Sequence, residues 1–200
     1  MCLGLILGSS FLLSGCDNSV NSQSAALENN TNIKSSLNKS NSSNKQESDR
    51  KESPVNWLKP TGGAYPLIGL NDPIWIKVSK EKQRVYIMKG SEIIYNMVCS
   101  TGLDTSPDTS TPEGTFYIQK EKGTSFYNFA EKEGAEYWVS WKNHGEFLFH
   151  SVATDKNGNV IQSEAMKLGH KASHGCIRLA VPDAKWIYNN IKYSTKVEIS

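Results

Sequence analysis

Ile74-Trp75-Ile76-Lys77-Val78-Ser79, interrupted by Lys80-Glu81-Lys82 and resumed as Val85-Tyr86-Ile87-Met88 before Gly90-Ser91, sets the fold class. Strand side chains point alternately to two faces, so short, near-alternating runs of β-branched and aromatic residues fit half-buried strands better than a helix. Two such runs around a charged turn read as a β-meander. Ile93 to Cys99 predicts a third strand, ending at Ser100-Thr101-Gly102. Leu103 to Thr111, rich in Thr, Ser, Asp and Pro, reads as a loop, after which Gly114 to Ile118 returns to strand composition. Tyr137 to Trp141 and Glu146 to His150 predict two further strands joined through Asn143-His144-Gly145, a hairpin-like turn. The one convincing helix has Pro182 in its first turn and Ala184, Ile187, Tyr188 and Ile191 at helical spacing, and Lys196 to Ile199 closes as a strand. No internal repeat is visible, and the expected fold is mostly β with one or two short α-helices.

Upstream the composition changes twice. Leu3 to Leu13 is an apolar run of 11 residues, too short to span a bilayer and suited to a signal-peptide core. Leu13-Ser14-Gly15-Cys16 resembles a bacterial lipobox, so Cys16 is the expected lipidation site and residues 1–16 the expected lipoprotein signal. Met1-Cys2-Leu3 lacks the usual Lys or Arg, and the natural start is expected further upstream. From Asp17 to Ser53, 18 of 37 residues are Ser or Asn and none is aromatic, which leaves nothing to build a core from. Residues 17–56 are therefore expected to be a disordered tether with a span of roughly 35 Å. The abrupt return of aromatic and β-branched residues places the folded domain at 57–200.

That domain carries 17 Lys plus Arg against 15 Asp plus Glu, with no basic stripe, which argues against a nucleic-acid partner. Only Cys99 and Cys176 remain in it, and an exported domain of this size rarely depends on one disulfide. At least one of the two is expected to be a working thiol.

Chemistry concentrates in Ser173-His174-Gly175-Cys176-Ile177-Arg178-Leu179. A cysteine by itself is more often a small buried hydrophobe. Here glycine permits a close approach of substrate backbone, and neighbouring positive charge favours the reactive thiolate.

This heptapeptide resembles the signature of the YkuD family of L,D-transpeptidases, in which Ser-His-Gly-Cys, an apolar residue and Arg surround the catalytic cysteine. Ser100-Thr101-Gly102, Thr111 to Phe116, Phe149-His150-Ser151 and Leu168-Gly169 extend the resemblance across roughly Ile74 to Ile199. It implies a β-rich, sandwich- or barrel-like catalytic domain with Cys176 as nucleophile. It implies that His150 takes the thiol proton while the Ser151 carbonyl orients its ring. His174 and Ser173 become accessory site components. His144 and His170 read as solvated turn residues, and Cys99 as buried and inert. Arg178 either holds the site together or pairs with a substrate carboxylate. The N–H groups of Gly175 and Cys176 are the expected oxyanion donors. One departure stands out: 25 residues separate His150 from Cys176, with a polar turn at Asp155 to Asn159, which reads as an inserted loop.

The resemblance further implies acyl transfer on peptidoglycan stem peptides. Cys176 would displace a terminal D-alanine to form a thioester, and an amine of a second stem would resolve it as a 3-3 cross-link, or a free D-amino acid as an exchange. An L,D-carboxypeptidase on the same scaffold and a non-catalytic wall-binding lipoprotein are the alternatives; a sortase-like cysteine enzyme fits Gly175-Cys176 poorly. No cofactor and no metal is expected, since the His and Cys residues lack zinc-type spacing. The expected protein is a monomer, anchored by lipid at the outer face of the cytoplasmic membrane.

Overall fold

A computed structural model describes residues 54–200. The expected signal, the lipobox Cys16 and the tether up to residue 53 lie outside the described residues. The described chain runs β1 (Ile74–Ser79), β2 (Arg84–Lys89), β3 (Glu92–Ser100), β4 (Gly114–Tyr117), β5 (Lys122–Asn128), β6 (Glu133–Lys142), β7 (Phe147–Ser151), α1 (Gln162–Ala165), β8 (Ile177–Leu179), α2 (Val181–Asn190) and β9 (Lys196–Ile199).

The strands form one sheet in the order β4-β9-β1-β2-β3-β8-β7-β6-β5. β1 with β9 and β7 with β8 are parallel, and the other neighbours are antiparallel. The sheet curls until its two ends meet: beyond β4, Gln119 N–H donates to Ser140 O at 2.8 Å and Ser140 N–H to Glu121 O at 2.9 Å, tying one edge to β6 beside the other. The mostly β expectation is met, with two helices.

Alternation does what the sequence predicts. Ile76 and Val78 of β1 face Ile87 and Val85 of β2 in register, and all four are fully buried. Burying each such side chain contributes about 1.5–3 kcal/mol. Trp141, Phe149, Ile177, Leu179 and Ile187 continue the same core, so β6, β7, β8 and α2 share one apolar centre with β1 and β2. α2 supplies Ala184, Ile187 and, just beyond its end, Ile191.

The chain before β1 forms a strap. Val55 and Trp57 pack against Val152, Ala165 and Leu168, so the folded part includes Val55. Further on, Tyr65 stacks on Trp186 at 5.6 Å between centroids, and its hydroxyl donates to the fully buried Asp183 at 2.8 Å. Thr61 N–H donates to the same carboxylate at 3.2 Å. Burial raises the Asp183 carboxyl above its usual range, against the lowering effect of Thr61 and Tyr65.

Three elements were not expected from the sequence. β5 is an edge strand beginning Lys122-Gly123-Thr124-Ser125, mostly exposed, with no apolar face to announce it. β8 has only 3 residues and α1 only 4, too short for any periodicity to register.

Candidate active site

The parallel β7–β8 pair brings the signature to the histidine. Phe149 is opposite Ile177 and His150 opposite Arg178. Cys176 immediately precedes β8 and therefore lies beside Leu148, whose N–H donates to the Cys176 Sγ at 3.4 Å. The thiol points at Glu146 O, 3.5 Å away. His150 lies two residues beyond Leu148, on the same face of β7. Cys176 and His150 line one cavity of about 360 Å³, together with Phe126, Trp138, Glu131 and His174.

A web of hydrogen bonds shapes the turn before Cys176. Ser173 Oγ donates to Cys176 O at 2.6 Å and accepts from Gly175 N–H at 3.1 Å. Thr111 Oγ1 donates to Gly175 O and accepts from Gly102 N–H, both at 2.8 Å, which couples the loop before β4 to the signature. Gly175 has φ +120°, and a Cβ there would stand 2.8 Å from Phe147 Cε1 and 3.0 Å from Ser110 O. Glycine is thus required on both conformational and steric grounds. One detail differs from the sequence reading: of the expected pair of oxyanion donors, the Gly175 N–H is already engaged by Ser173 Oγ.

His150 is buried, its ring edge-on to Phe126 at 5.7 Å. Its Nδ1 lies 2.7 Å from Ser151 O. A carbonyl oxygen can only accept, so Nδ1 carries the hydrogen. Burial, reinforced by the Arg178 charge, pushes the ring down to about 3, against the raising effect of the Ser151 carbonyl. The imidazole is therefore neutral at pH 7, with Nε2 unprotonated and able to receive a proton. Burial also pushes the Cys176 thiol up to about 11, although the Leu148 N–H and the Arg178 charge favour thiolate. Both shifts favour a neutral thiol beside a neutral imidazole at rest, from which attack would be accompanied by proton transfer.

Arg178 is 7 % exposed. Its Nη1 donates to Glu164 Oε2 at 2.9 Å and its Nη2 to Glu133 Oε2 at 2.8 Å. Both terminal nitrogens are engaged by the protein's own carboxylates, which favours the holding role over capture of a substrate carboxylate. Burial raises the Glu164 carboxyl, but the Lys167 and Arg178 hydrogen bonds outweigh it and hold the group below its ordinary value. Glu133 and Glu164 were missed from sequence. The available signal was Arg178 itself, a cation between Ile177 and Leu179 that could be buried only with carboxylate partners. The inserted loop thus has a structural task, because its helix α1 carries Glu164. Its polar turn is closed on itself by Asp155, whose carboxylate accepts from the N–H groups of Asn157 and Asn159.

Of the remaining candidates, Ser151 Oγ donates to Val152 O and accepts from Glu136 N–H. His174 is exposed at the cavity rim, its Nδ1 3.4 Å from Glu131 Oε2. His144 is exposed beside Glu121, and His170 is exposed away from the cavity. Cys99 is completely buried, and that burial pushes its thiol far up. Among the described residues no three His, Cys, Asp or Glu side chains converge as a metal would need.

The parallel β7–β8 pair thus sets a cysteine and a tautomer-fixed histidine in one cavity of a curled sheet. The family model described as the L,D-transpeptidase catalytic domain, YkuD, matches residues 73–199. The chain is also 57% identical over 146 residues, covering 73% of its own length and 75% of the relative, to a Bacillus subtilis (strain 168) protein named "Putative L,D-transpeptidase YciB". It belongs to the YkuD family of L,D-transpeptidase catalytic domains. Its fold is like that of an L,D-transpeptidase from Mycobacterium smegmatis, at TM-score 0.51 and 18% identity over 64% of this chain. It is also like that of the LD transpeptidase LdtMt1 in complex with imipenem, at TM-score 0.50 and 20% identity over 64% of this chain. The chain spans 59% of each of these two structures, and at such identities the likeness is one of fold.

Proposed function

We propose that this protein is a peptidoglycan L,D-transpeptidase that forms 3-3 cross-links, or exchanges a terminal D-alanine, through a thioester on Cys176. One observation supports the reading: the Ser151 carbonyl fixes the His150 tautomer, so a proton-accepting Nε2 on a buried ring shares a cavity with the Cys176 thiol. In this mechanism Sγ attacks the carbonyl that precedes the terminal D-alanine of a tetrapeptide stem, and the thiol proton passes to His150 Nε2. The Cys176 N–H stabilises the resulting oxyanion. Collapse breaks the C–N bond, and the departing amine takes the proton from Nε2. The amine of a second stem then attacks the thioester, gives its proton to His150, and Cys176 regains it as the thiol leaves. Ser173 and Gly175 hold the cysteine turn, Arg178 braces the histidine strand, and His174 stands at the rim where an acceptor enters.

The test is mass spectrometry of the full chain after incubation with a disaccharide tetrapeptide, beside Cys176→Ala. The expected result is an adduct lacking D-alanine followed by cross-linked dimer, both absent in the variant. Adduct followed only by tripeptide would make the enzyme a carboxypeptidase. A folded chain whose Cys176 stays unmodified would end the enzyme reading and leave a wall-binding lipoprotein. The same proposal includes lipidation of Cys16 and residence at the outer face of the cytoplasmic membrane. Detergent-phase partitioning of the protein from bacterial cells, lost in Cys16→Ala, is the expected outcome.

A further inference from the structure

Away from the catalytic cavity, two adjoining grooves of about 580 and 410 Å³ share Ile118, Gln119, Lys120 and Tyr193 in their walls. Lys120, Lys122 and Lys142 line them, each standing over an aromatic ring, and Lys185 stands over a ring beside them. Lys120 Nζ is 5.5 Å from the Tyr193 centroid, Lys122 is 4.5 Å from Tyr188, and Lys142 is 4.6 Å from Phe147. Lys185 Nζ is 5.4 Å from Tyr137, whose ring lies 6.1 Å from that of Tyr188, so the series is continuous across α2. None of these four lysines has a carboxylate within ion-pair distance among the described residues. The carboxylate in the groove walls, Glu121, is taken by His144 at 3.0 Å.

Cations that outnumber the single groove carboxylate, Glu121, repel one another, and the rings beneath them orient the ammonium groups without neutralising them. Such a face is complementary to a polyanion. All four cations are lysines, compact point charges that suit phosphate, while no arginine offers the planar fork that favours carboxylate. The binding surface is concave, which fits a chain lying along the grooves and not a flat bilayer. We propose that this face binds a linear phosphate polyanion, docking the protein on an anionic polymer. The inference is independent of the acyl-transfer reading.

The experiment is a fluorescence-anisotropy titration of the full chain with labelled inorganic polyphosphate. Saturable binding is expected, weakening roughly 50-fold between about 50 and 200 mM salt if four contacts each contribute a slope of about −0.7. Lys120→Gln/Lys122→Gln/Lys185→Gln is expected to weaken binding at least tenfold. Lys59→Gln/Lys82→Gln/Lys156→Gln, which removes three exposed lysines outside the ring-stacked series, should leave it within twofold. Absence of saturable binding overturns the proposal, as does equal weakening in both triple variants, which would mean attraction to net charge alone. Binding to phosphatidylglycerol vesicles but not to polyphosphate would overturn it in favour of a membrane-facing surface.

Discussion

Arg178 is the direct register neighbour of His150 across the parallel β7–β8 pair, and its charge is closed off on its far side by Glu133 and Glu164. The guanidinium helps keep the imidazole neutral, while the two carboxylates keep the guanidinium from being an unpaired buried cation.

Removing that cation strands the half-buried Glu133 and leaves Glu164 with Lys167 alone, and it empties the buried place of the guanidinium. Arg178→Ala is therefore expected to lower stability by about 3–5 kcal/mol, the usual cost of breaking a buried pair from one side. Glu164→Gln keeps an acceptor for Nη1 and leaves Glu133 in place, so it should lose clearly less. Urea unfolding monitored by tryptophan fluorescence measures both, and an Arg178→Ala midpoint equal to wild type would show the trio to be dispensable.

The thiol and the imidazole are both neutral at rest, and alkylation should reveal it. With Cys176 pushed up to about 11, its rate of reaction with iodoacetamide should climb about tenfold per pH unit from pH 7 towards 10. A preformed thiolate–imidazolium pair would instead give a rate already level near neutrality. Cys99, completely buried, should stay unlabelled until the chain unfolds. Intact-mass kinetics distinguish the two profiles, and a flat profile from pH 6 upward would contradict the neutral pair.

The strands could be read from sequence wherever one face is buried. Ile76 and Val78 against Ile87 and Val85 is an alternation that only a sheet satisfies, and β1 and β9 have the bounds the sequence implies. β5 escaped because an edge strand with polar residues on both faces has no period to detect. Cys176 and His150 were visible as motif residues, but the tautomer of His150 depends on a carbonyl and on burial, neither of which has a sequence signature. Glu164 reaches Arg178 only because the loop after β7 folds back under Val55 and Trp57, a tertiary event that no spacing rule encodes.

The buried neutral state of His150 has a consequence for stability with a definite sign. In the unfolded chain a histidine titrates near 6.5, whereas the folded ring titrates at about 3. Between those values the unfolded chain holds the extra proton, so stability rises with pH, and acidification costs up to about 1.4 kcal/mol per pH unit. Stability from this group is thus complete above about pH 6.5 and is lost progressively as pH falls towards 3. Depressed carboxyls such as Glu164 add a loss of the same sign at lower pH, and the raised Asp183 carboxyl acts in the opposite sense. Subtracting the curve of His150→Gln removes these shared contributions. Urea unfolding of both proteins at pH 5.0 and 6.5 should show wild type losing about 1.6 kcal/mol more than the variant over that interval. Parallel curves would mean that the folded ring takes up a proton as readily as the unfolded one, and would contradict the depressed, buried imidazole.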